Sequence, residues 1–470
     1  MDLDFDVEYS IPAARGAKAE SGKGKVRLNE ETLTLSPGRG AAVLFSWRDI
    51  ESIKAADYKA AVSAFSGDKI ELSALGYKYE DFLRMASGFR NEQLIKDSLL
   101  NEPLKVSQIE ARYARSSPQS EGQCELRVYE TALLVLPEQD ELIRLPFRDI
   151  KDVREGELSV TVEFESGETL EFSRLGNKLD YFQTNLSDAM DRITAMGAEF
   201  IKTIVPGTSG LALRKLAQTL KEGRLMPLAE IETLCPGFIK GLEAAVCADA
   251  ENKKEYEFLK SLSRKEKVRF GFKKSLAGGL AGDYLLFLFP VYCADAKKSG
   301  NAVIMEAFPM GLADKPAADG AGKRATYFFR LAGRKDYALS KSVPELDKMM
   351  DVFGRFFNAA MGAVNFRRTP LFLSEAKLLE PKYAVYRAAA ARIPELRALR
   401  DLYIGRVIHT DLENWRENIG NLLDFNVRAA DDSAKWLKSQ IDDEAVPEEG
   451  WTLPQSCATH GHNSADSVEQ

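Results

Sequence analysis

The chain has 470 residues, of which 45% are hydrophobic and 29% are charged, and its net charge is −7. This length exceeds what one hydrophobic core supports and predicts several domains. The acidic balance excludes a globally basic surface for nucleic acid or anionic lipid. No uncharged apolar run reaches the length of about 18 residues that a transmembrane helix needs.

The N-terminus and the cysteines predict a cytoplasmic protein. The opening MDLDFDVEYS is acidic, whereas a secretory signal begins basic and then turns apolar. The cysteines are scattered and odd in number, which is typical of reduced thiols and not of a disulfide framework. They are Cys124, Cys235, Cys247, Cys293 and Cys457.

The first half of the chain contains an internal repeat. The segments 25–93 and 125–193 align without a gap, and every matched pair differs by 100 in residue number. The matches include Trp47-Arg48-Asp49-Ile50 with Phe147-Arg148-Asp149-Ile150, Ser66-Gly67 with Ser166-Gly167, Leu75-Gly76 with Leu175-Gly176, and Phe82 with Phe182. Agreement of so many positions in one register indicates a duplicated domain.

Each copy has the pattern of several strands closed by one helix. Segments 27–35 and 128–136 have strand character and end at matching prolines. Segment 158–164 alternates, Ser166-Gly167 predicts a turn, and 169–172 returns as the partner strand of a hairpin. Apolar residues then recur every three to four positions, which predicts a closing helix in each copy.

Strands, an aromatic-Arg-Asp-Ile element, a Ser-Gly hairpin and one closing helix resemble the pleckstrin-homology-like superfamily, which includes the GRAM-type domains. The resemblance implies a bent antiparallel sheet closed at one end by a C-terminal helix. We therefore predict an α+β protein with two tandem domains of this type, at 20–96 and 120–200, joined by a polar linker at 94–124.

The resemblance does not extend to a phosphoinositide site. Members that bind inositol phosphates carry several basic residues in the loop between the first two strands. Here that loop holds one arginine, Arg39, in the first copy and is acidic in the second, from Pro137 to Glu141. Phosphoinositide binding is therefore not supported.

The second half predicts helices, then strands, then helices again. Segment 207–262 reads as a helical connector and 263–366 as a strand-rich unit whose helix opens with a capping box at Ser342 and Glu345. Strands followed by a capped helix make that unit a candidate third copy, although it does not align with the other two. Segment 367–428 reads as helical with a break at Pro394, and 442–470 as a disordered tail.

No segment predicts a catalytic, cofactor or metal site. The glycines at 278–282 follow two lysines, the reverse of a phosphate loop, and favour a hairpin. Cys457, His460 and His462 have metal-ligand spacing but lie in the predicted tail without further ligands. His409 favours a helix-end or packing role over a general base. Three histidines in the whole chain leave little material for acid–base chemistry at neutral pH.

The repeated Arg-Asp pairs Arg48-Asp49 and Arg148-Asp149 favour a structural role, with shared ligand contact as the alternative. A second set of basic side chains could meet phosphates or an acidic partner, although their spacing does not define one helix face. These are Arg387, Arg392, Arg397, Arg400 and Arg406. The sequence thus predicts a non-enzymatic protein-binding scaffold with an unidentified protein partner. Alternatives are a peripheral membrane or nucleic-acid binder using 387–406, and an enzyme with a site in 267–424.

Overall fold

The computed structural model describes residues 3–436, apart from 13–18, 99–102, 275–282, 296–297, 299, 311–323, 341 and 430. The first repeat is one antiparallel sheet closed by one helix. Its elements are β1 (Leu3–Ile11), β2 (Glu20–Leu28), β3 (Thr32–Pro37), β4 (Val43–Ser46), β5 (Ile50–Ala56), β6 (Lys59–Ala64), β7 (Lys69–Ser73) and α1 (Tyr79–Asp97). The strand order is β4-β3-β2-β1-β7-β6-β5.

The second repeat has the same architecture. Its elements are β8 (Leu104–Ser116), β9 (Gln119–Tyr129), β10 (Ala132–Pro137), β11 (Ile143–Pro146), β12 (Ile150–Glu155), β13 (Ser159–Phe164), β14 (Thr169–Ser173) and α2 (Leu179–Ile204). Its strand order, β11-β10-β9-β8-β14-β13-β12, matches the first sheet strand for strand. The predicted fold class is confirmed: two tandem antiparallel sheets closed by helices, followed by an α+β region.

The linker predicted at 94–124 is wrong. Each repeat begins with a long strand that the sequence reading missed, and this strand joins the two halves of its sheet: β1 pairs with β2 and β7, and β8 pairs with β9 and β14. In β8 the inward residues Val106 and Ile109 are separated by a register shift. Because the shift breaks strict alternation, the segment looks like mixed polar sequence.

Matched aromatic residues occupy the two repeat cores. Trp47 and Phe147 are both fully buried. Trp47 also donates its indole N–H to the carbonyl oxygen of Asn29 at 2.7 Å and stacks on Phe89. A buried indole needs such a hydrogen-bond partner, and Phe147 at the same place in the second repeat needs none.

The first repeat packs its closing helix on the outer face of the second sheet. Outward residues of β9 and β10, among them Tyr129, Leu134 and Leu136, are buried in a small cluster with Ile95 of α1. The side chain of Asn91 on α1 donates to the carbonyl oxygens of Pro137 and Asp140, each at 3.2 Å. As a result every residue of β10 is buried.

The rest of the chain builds a third sheet between two helical layers. Its strands are β15 (Met226–Pro227), β16 (Arg269–Lys274), β17 (Asp283–Val291), β18 (Ala302–Met310), β19 (Ala325–Arg330) and β20 (Tyr403–Ile408), in sequential order across the sheet. Successive residues of β17 alternate between two cores: Leu286 and Leu288 lie in one, Phe287 and Phe289 in the other. A strand that is buried on both faces has no solvent-exposed positions for polar residues, which explains its mostly apolar sequence.

One helical layer surrounds the core that contains Phe287. It includes the end of α2 together with α3 (Gly210–Thr219), α4 (Leu228–Leu234), α5 (Phe238–Val246), α6 (Ala250–Leu262) and α13 (Leu412–Arg428). The helices predicted as a connector at 207–262 therefore belong to this core. Helix α2 is shared, because Phe182 lies in the core of the second repeat and Phe200 in the core of the third sheet.

The other layer consists of helices that follow β19. They are α7 (Arg334–Leu339), α8 (Val343–Ala363), α9 (Thr369–Phe372), α10 (Glu375–Leu378), α11 (Ala384–Arg392) and α12 (Pro394–Leu402). The predicted capping box of α8 is confirmed, since the Glu345 carboxylate accepts from the Ser342 backbone N–H at 3.0 Å. The predicted break at Pro394 is also confirmed, as α11 ends and α12 begins there.

Two further expectations for the second half differ from the structure. The segment predicted as helical from 367 to 428 contains β20, an edge strand of the third sheet. The sequential strand order of that sheet also differs from the order in the repeats, which gives the hypothesis of a third copy no support. The predicted tail at 442–470 lies outside the described residues. Within them, no helix is long and apolar enough to cross a membrane.

Candidate functional site

The Arg-Asp-Ile turn of the first repeat is bound to its own closing helix. Arg48 donates through Nε and Nη2 to the two carboxylate oxygens of Asp97, at 2.8 and 2.7 Å. The hydrogen bond to Asp97 raises the pKa of Arg48. Asp97 is the last residue of α1 and is buried. This bidentate pair therefore connects the turn to the helix end, in agreement with the structural role favoured from sequence.

The equivalent arginine of the second repeat has a different neighbour. Arg148 lies 5.7 Å from the ring centroid of Phe366 and donates to the carbonyl oxygen of Gly223 at 3.4 Å. A Cβ atom at Gly362 of α8 would lie only 1.2 Å from Nη2 of Arg148, so a larger residue there would displace the guanidinium. Arg148 thus packs the second repeat against the helices of the third sheet. The side chain of Arg48, in contrast, pairs within its own repeat.

Both turns also present backbone carbonyls to a cation from the part of the chain that follows the repeats. Arg392, at the end of α11, donates to the carbonyl oxygens of Arg48 at 2.7 Å and Ile50 at 3.1 Å. Lys221, which follows α3, donates to the matching carbonyl of Ile150 at 2.5 Å. Burial lowers the pKa of Arg392 to about 10 and that of Lys221 to about 8. The two repeats are therefore docked on the rest of the chain through equivalent turn carbonyls.

The five arginines predicted as a binding stripe do not share one exposed face. Beside Arg392, Arg387 contacts Asp49 at 3.3 Å. Arg400 donates to the carbonyl oxygen of Leu373 at 2.9 Å and to Glu375 at 2.5 Å. Arg397 is exposed and donates to the carbonyls of Ala390 and Ala391, whereas Arg406 is buried with its guanidinium 4.0 Å from the Phe372 ring centroid. Most of these side chains serve contacts inside the molecule.

An open groove lies in the second repeat between the edge strand β12 and the closing helix α2. Its volume is about 480 Å³. Its lining includes Lys151, Val153, Glu155, Leu186, Met190 and Lys221. Strand β12 ends its sheet, and among the described strands it pairs with β13 alone. The groove therefore combines an edge strand with a lining of mixed polar and apolar side chains.

In the first repeat, the helix side chain at the equivalent place covers the start of the edge strand. Arg90 of α1 donates to the carbonyl oxygens of Glu51 at 2.6 Å and Ile50 at 3.4 Å, both on the edge strand β5. It is buried and also contacts Glu141 of the second repeat at 2.8 Å. Position 190 of α2 carries methionine in the equivalent place, and a thioether cannot donate to a carbonyl.

The third sheet contains a buried charge network that was not predicted from the sequence. The two ring nitrogens of His409 lie 2.8 Å from a Glu255 oxygen and 3.1 Å from a Glu306 oxygen. Arg324 contacts both carboxylates, and Thr326 donates to Glu306 at 2.5 Å. Glu306 interrupts an otherwise apolar strand, AVIMEAFPM, and a carboxylate fixed at such a position was the available signal that buried partners exist.

The network stabilises opposite charges. Burial alone would lower the pKa of His409, but the charge of Glu306 and hydrogen bonds to both glutamates outweigh it and raise the pKa to about 9. Burial would likewise raise the pKa of Glu306, yet His409 and Arg324 lower it to about 2. Because both ring nitrogens of His409 are engaged, this geometry is that of a buried ion network and leaves no nitrogen for a general base.

The remaining candidate features are a cavity beside β20 and the possible metal ligands. A cavity of about 270 Å³ beside β20 is lined by Asp401, Tyr403 and Lys435, and the charged network does not contribute to its lining. Across the described part of the chain, no group of three or more histidine, cysteine or acidic side chains could hold a metal ion. The glycine-rich segment 278–282 and the Cys457, His460 and His462 cluster lie outside the described residues.

Comparison with known proteins gives little guidance. No family model matches the chain, and no curated protein matches it. Thirty chains of solved structures match. One belongs to a structure of the Spt16D Pob3N heterodimer, with 14% identity over 36% of this chain and 85% of that chain and a TM-score of 0.15. A likeness at this identity and TM-score says nothing about what this chain binds.

Proposed function

We propose that the chain is a non-enzymatic protein-binding scaffold built on tandem pleckstrin-homology-like repeats, and that the β12–α2 groove of the second repeat receives the partner. The observation that carries the proposal is the difference between Arg90 and Met190. Arg90 donates to the Glu51 carbonyl of the edge strand in the first repeat, whereas α2 carries Met190 at the equivalent place and its strand borders an open groove. The carbonyl at the start of the strand is occupied in both repeats, by Arg392 at Ile50 and by Lys221 at Ile150.

The groove suits an extended peptide segment of a protein partner. A sheet edge offers N–H and C=O groups at the spacing of an added strand, and backbone hydrogen bonds then supply affinity while pockets for alternate side chains supply specificity. Val153, Leu186 and Met190 are the apolar part of the lining, and Lys151, Asp152 and Asp191 give it charges of both signs. Such binding depends chiefly on backbone strand pairing.

The test is selection of peptides from a random display library on the full chain, followed by titration of a recovered peptide. Met190→Arg introduces at α2 the residue that closes the first repeat, and we expect at least about a tenfold loss of affinity, about 1.4 kcal/mol. Thr184→Arg is the matched control, because Thr184 is exposed on the same helix and does not line the groove. Equal affinity of the two variants would overturn the proposal.

Salt dependence separates this proposal from the membrane or nucleic-acid alternative built on Arg387 to Arg406. Phosphate-driven binding weakens steeply between low and physiological salt because counterions are released. Strand addition through backbone hydrogen bonds should weaken far less over the same range. Binding of a phosphate-bearing ligand with a steep salt slope, abolished by Arg397→Ala, would favour the alternative.

A further inference from the structure

We infer that the first repeat contains a second, latent groove of the same class, closed within the chain by Arg90 and Arg392. The inference rests on the function proposed for the second repeat. Its basis is the strand-for-strand equivalence of the two sheets, in which β5 and α1 occupy the places of β12 and α2. A surface that receives an extended peptide in one copy therefore has its counterpart in the other.

The closing contacts come from three separate parts of the molecule. Arg90 belongs to the helix of the same repeat, its partner Glu141 belongs to the second repeat, and Arg392 belongs to α11. Arg392 also lies 5.4 Å from the ring centroid of Phe65. Together these side chains occupy the carbonyls of Arg48, Ile50 and Glu51, at the beginning of the edge strand.

The guanidinium of Arg392 is only partly hydrogen-bonded in the closed state, which suits this state to displacement. Burial is the main cause that lowers the pKa of Arg392; the guanidinium groups of Arg90 and Arg48 add to it, and the carboxylates of Glu141 and Asp97 oppose it. Nε and Nη1 of Arg392 are buried without a hydrogen-bond partner among the described residues. Unsatisfied buried donors of a charged group are costly. A peptide that supplied its own hydrogen bonds to β5 would relieve this arrangement.

The consequence is a two-site protein of which one site is open. A binding site whose competent state is rarely populated shows an apparent affinity reduced by that fraction. The second repeat should therefore bind first, and the first repeat should bind only when the contacts of Arg90 and Arg392 are removed or outcompeted. Release would also weaken the contact of Arg90 with Glu141, and so would affect the packing between the repeats.

The experiment measures stoichiometry on the full chain with the peptide recovered on the wild type, carrying a photo-crosslinker. In Arg90→Met/Arg392→Ala, position 90 takes the residue of the second repeat and the C-terminal donor is removed. We expect the stoichiometry to rise from about one to about two peptides per chain, with crosslinks in both repeats. Arg84→Met/Arg397→Ala is the matched control, because both arginines are exposed and neither contacts the turn carbonyls.

The outcomes separate the two proposals. If Met190→Arg abolishes binding and the double variant stays at one peptide per chain with crosslinks in the second repeat alone, the latent groove is wrong and the proposed function stands. If the wild type yields no peptide that depends on Met190, the proposed function is wrong and the latent site falls with it. Should the double variant fail to fold, Arg90→Met and Arg392→Ala are titrated singly with the same peptide; a second crosslink in the first repeat of either variant supports the latent groove, and one peptide per chain in both overturns it.

Discussion

The outward faces of the two repeats differ as sharply as their cores agree. Strand β3 reads TLTLSP and places Thr32, Thr34 and Ser36 outward, whereas β10 reads ALLVLP. The outward residues of β10 are covered by α1, while Thr32 and Thr34 of β3 are partly exposed and Ser36 is exposed. The duplication therefore preserved the fold, and the outward positions record what each copy packs against. A first repeat with a polar outer face resembles the terminal unit of a repeat array.

The largest expected effect tests whether the cores are equivalent. Trp47→Ala and Phe147→Ala each remove a fully buried aromatic ring, and each should destabilise the chain by about 3–5 kcal/mol. Trp47→Ala also leaves the Asn29 carbonyl without the indole donor, so its cost should lie at the upper end of this range. Chemical denaturation of the full chain measures both. A nearly neutral Trp47→Ala would mean that position 47 is not a core position.

The pH dependence of stability should report on the charge network of the third sheet and not on the cores of the repeats. Relative to ordinary values of about 6.5 and 4.3, the pKa of His409 is raised to about 9 and that of Glu306 is lowered to about 2. The stability from His409 is fully present below about pH 6.5 and is lost as pH rises through 9. The stability from Glu306 is present above about pH 4.3 and is lost as pH falls through 2.

The network should therefore contribute most between about pH 4.3 and 6.5, with a loss of about 3 kcal/mol toward pH 9 as an upper bound for a coupled buried group. His409→Gln should flatten the alkaline limb of the stability curve measured by denaturation. Trp47→Ala should shift the whole curve and leave its shape unchanged. An alkaline limb that persists in His409→Gln would exclude the network as its cause.

The features that the two repeats share could be predicted from the sequence. The contacts that each repeat makes with the rest of the chain could not. Shared residues such as Ile50 and Ile150 identified the register, the closing helices and the core aromatics. The strand β8 was missed because its bulge interrupts alternation. The side chains around the turns could not be predicted, because Arg392 and Lys221 approach from elements far away in sequence and share no motif. The pattern in β10 was visible, since Leu134 and Leu136 stand where Thr34 and Ser36 are polar.

The third prediction compares outward positions directly. Leu134 is fully buried between the repeats, so Leu134→Ala should cost about 2–3 kcal/mol by leaving a cavity beneath α1. The matched change Thr34→Ala lies on the uncovered face and should change stability by less than about 0.5 kcal/mol. Denaturation of the full chain tests both. Equal costs would show that the outer face of the first sheet is covered as well.

The smallest expected loss of stability comes from replacing a glycine in the turn before each closing helix. It should be equal in both repeats, because it arises from the backbone conformation of the turn. Gly76 and Gly176 precede the closing helices, and each has φ of +58°, a left-handed conformation that side chains with a Cβ rarely adopt. No atom lies within 4 Å of a Cβ built at either position, so Gly76→Ala and Gly176→Ala would test backbone conformation without steric contact. Each should cost about 1 kcal/mol. Unlike the outward positions, these two do not depend on what surrounds the repeat. A clear difference between the two variants in the denaturation midpoint would mean that one turn is held by neighbours outside its own repeat, and that the copies differ in more than their surfaces.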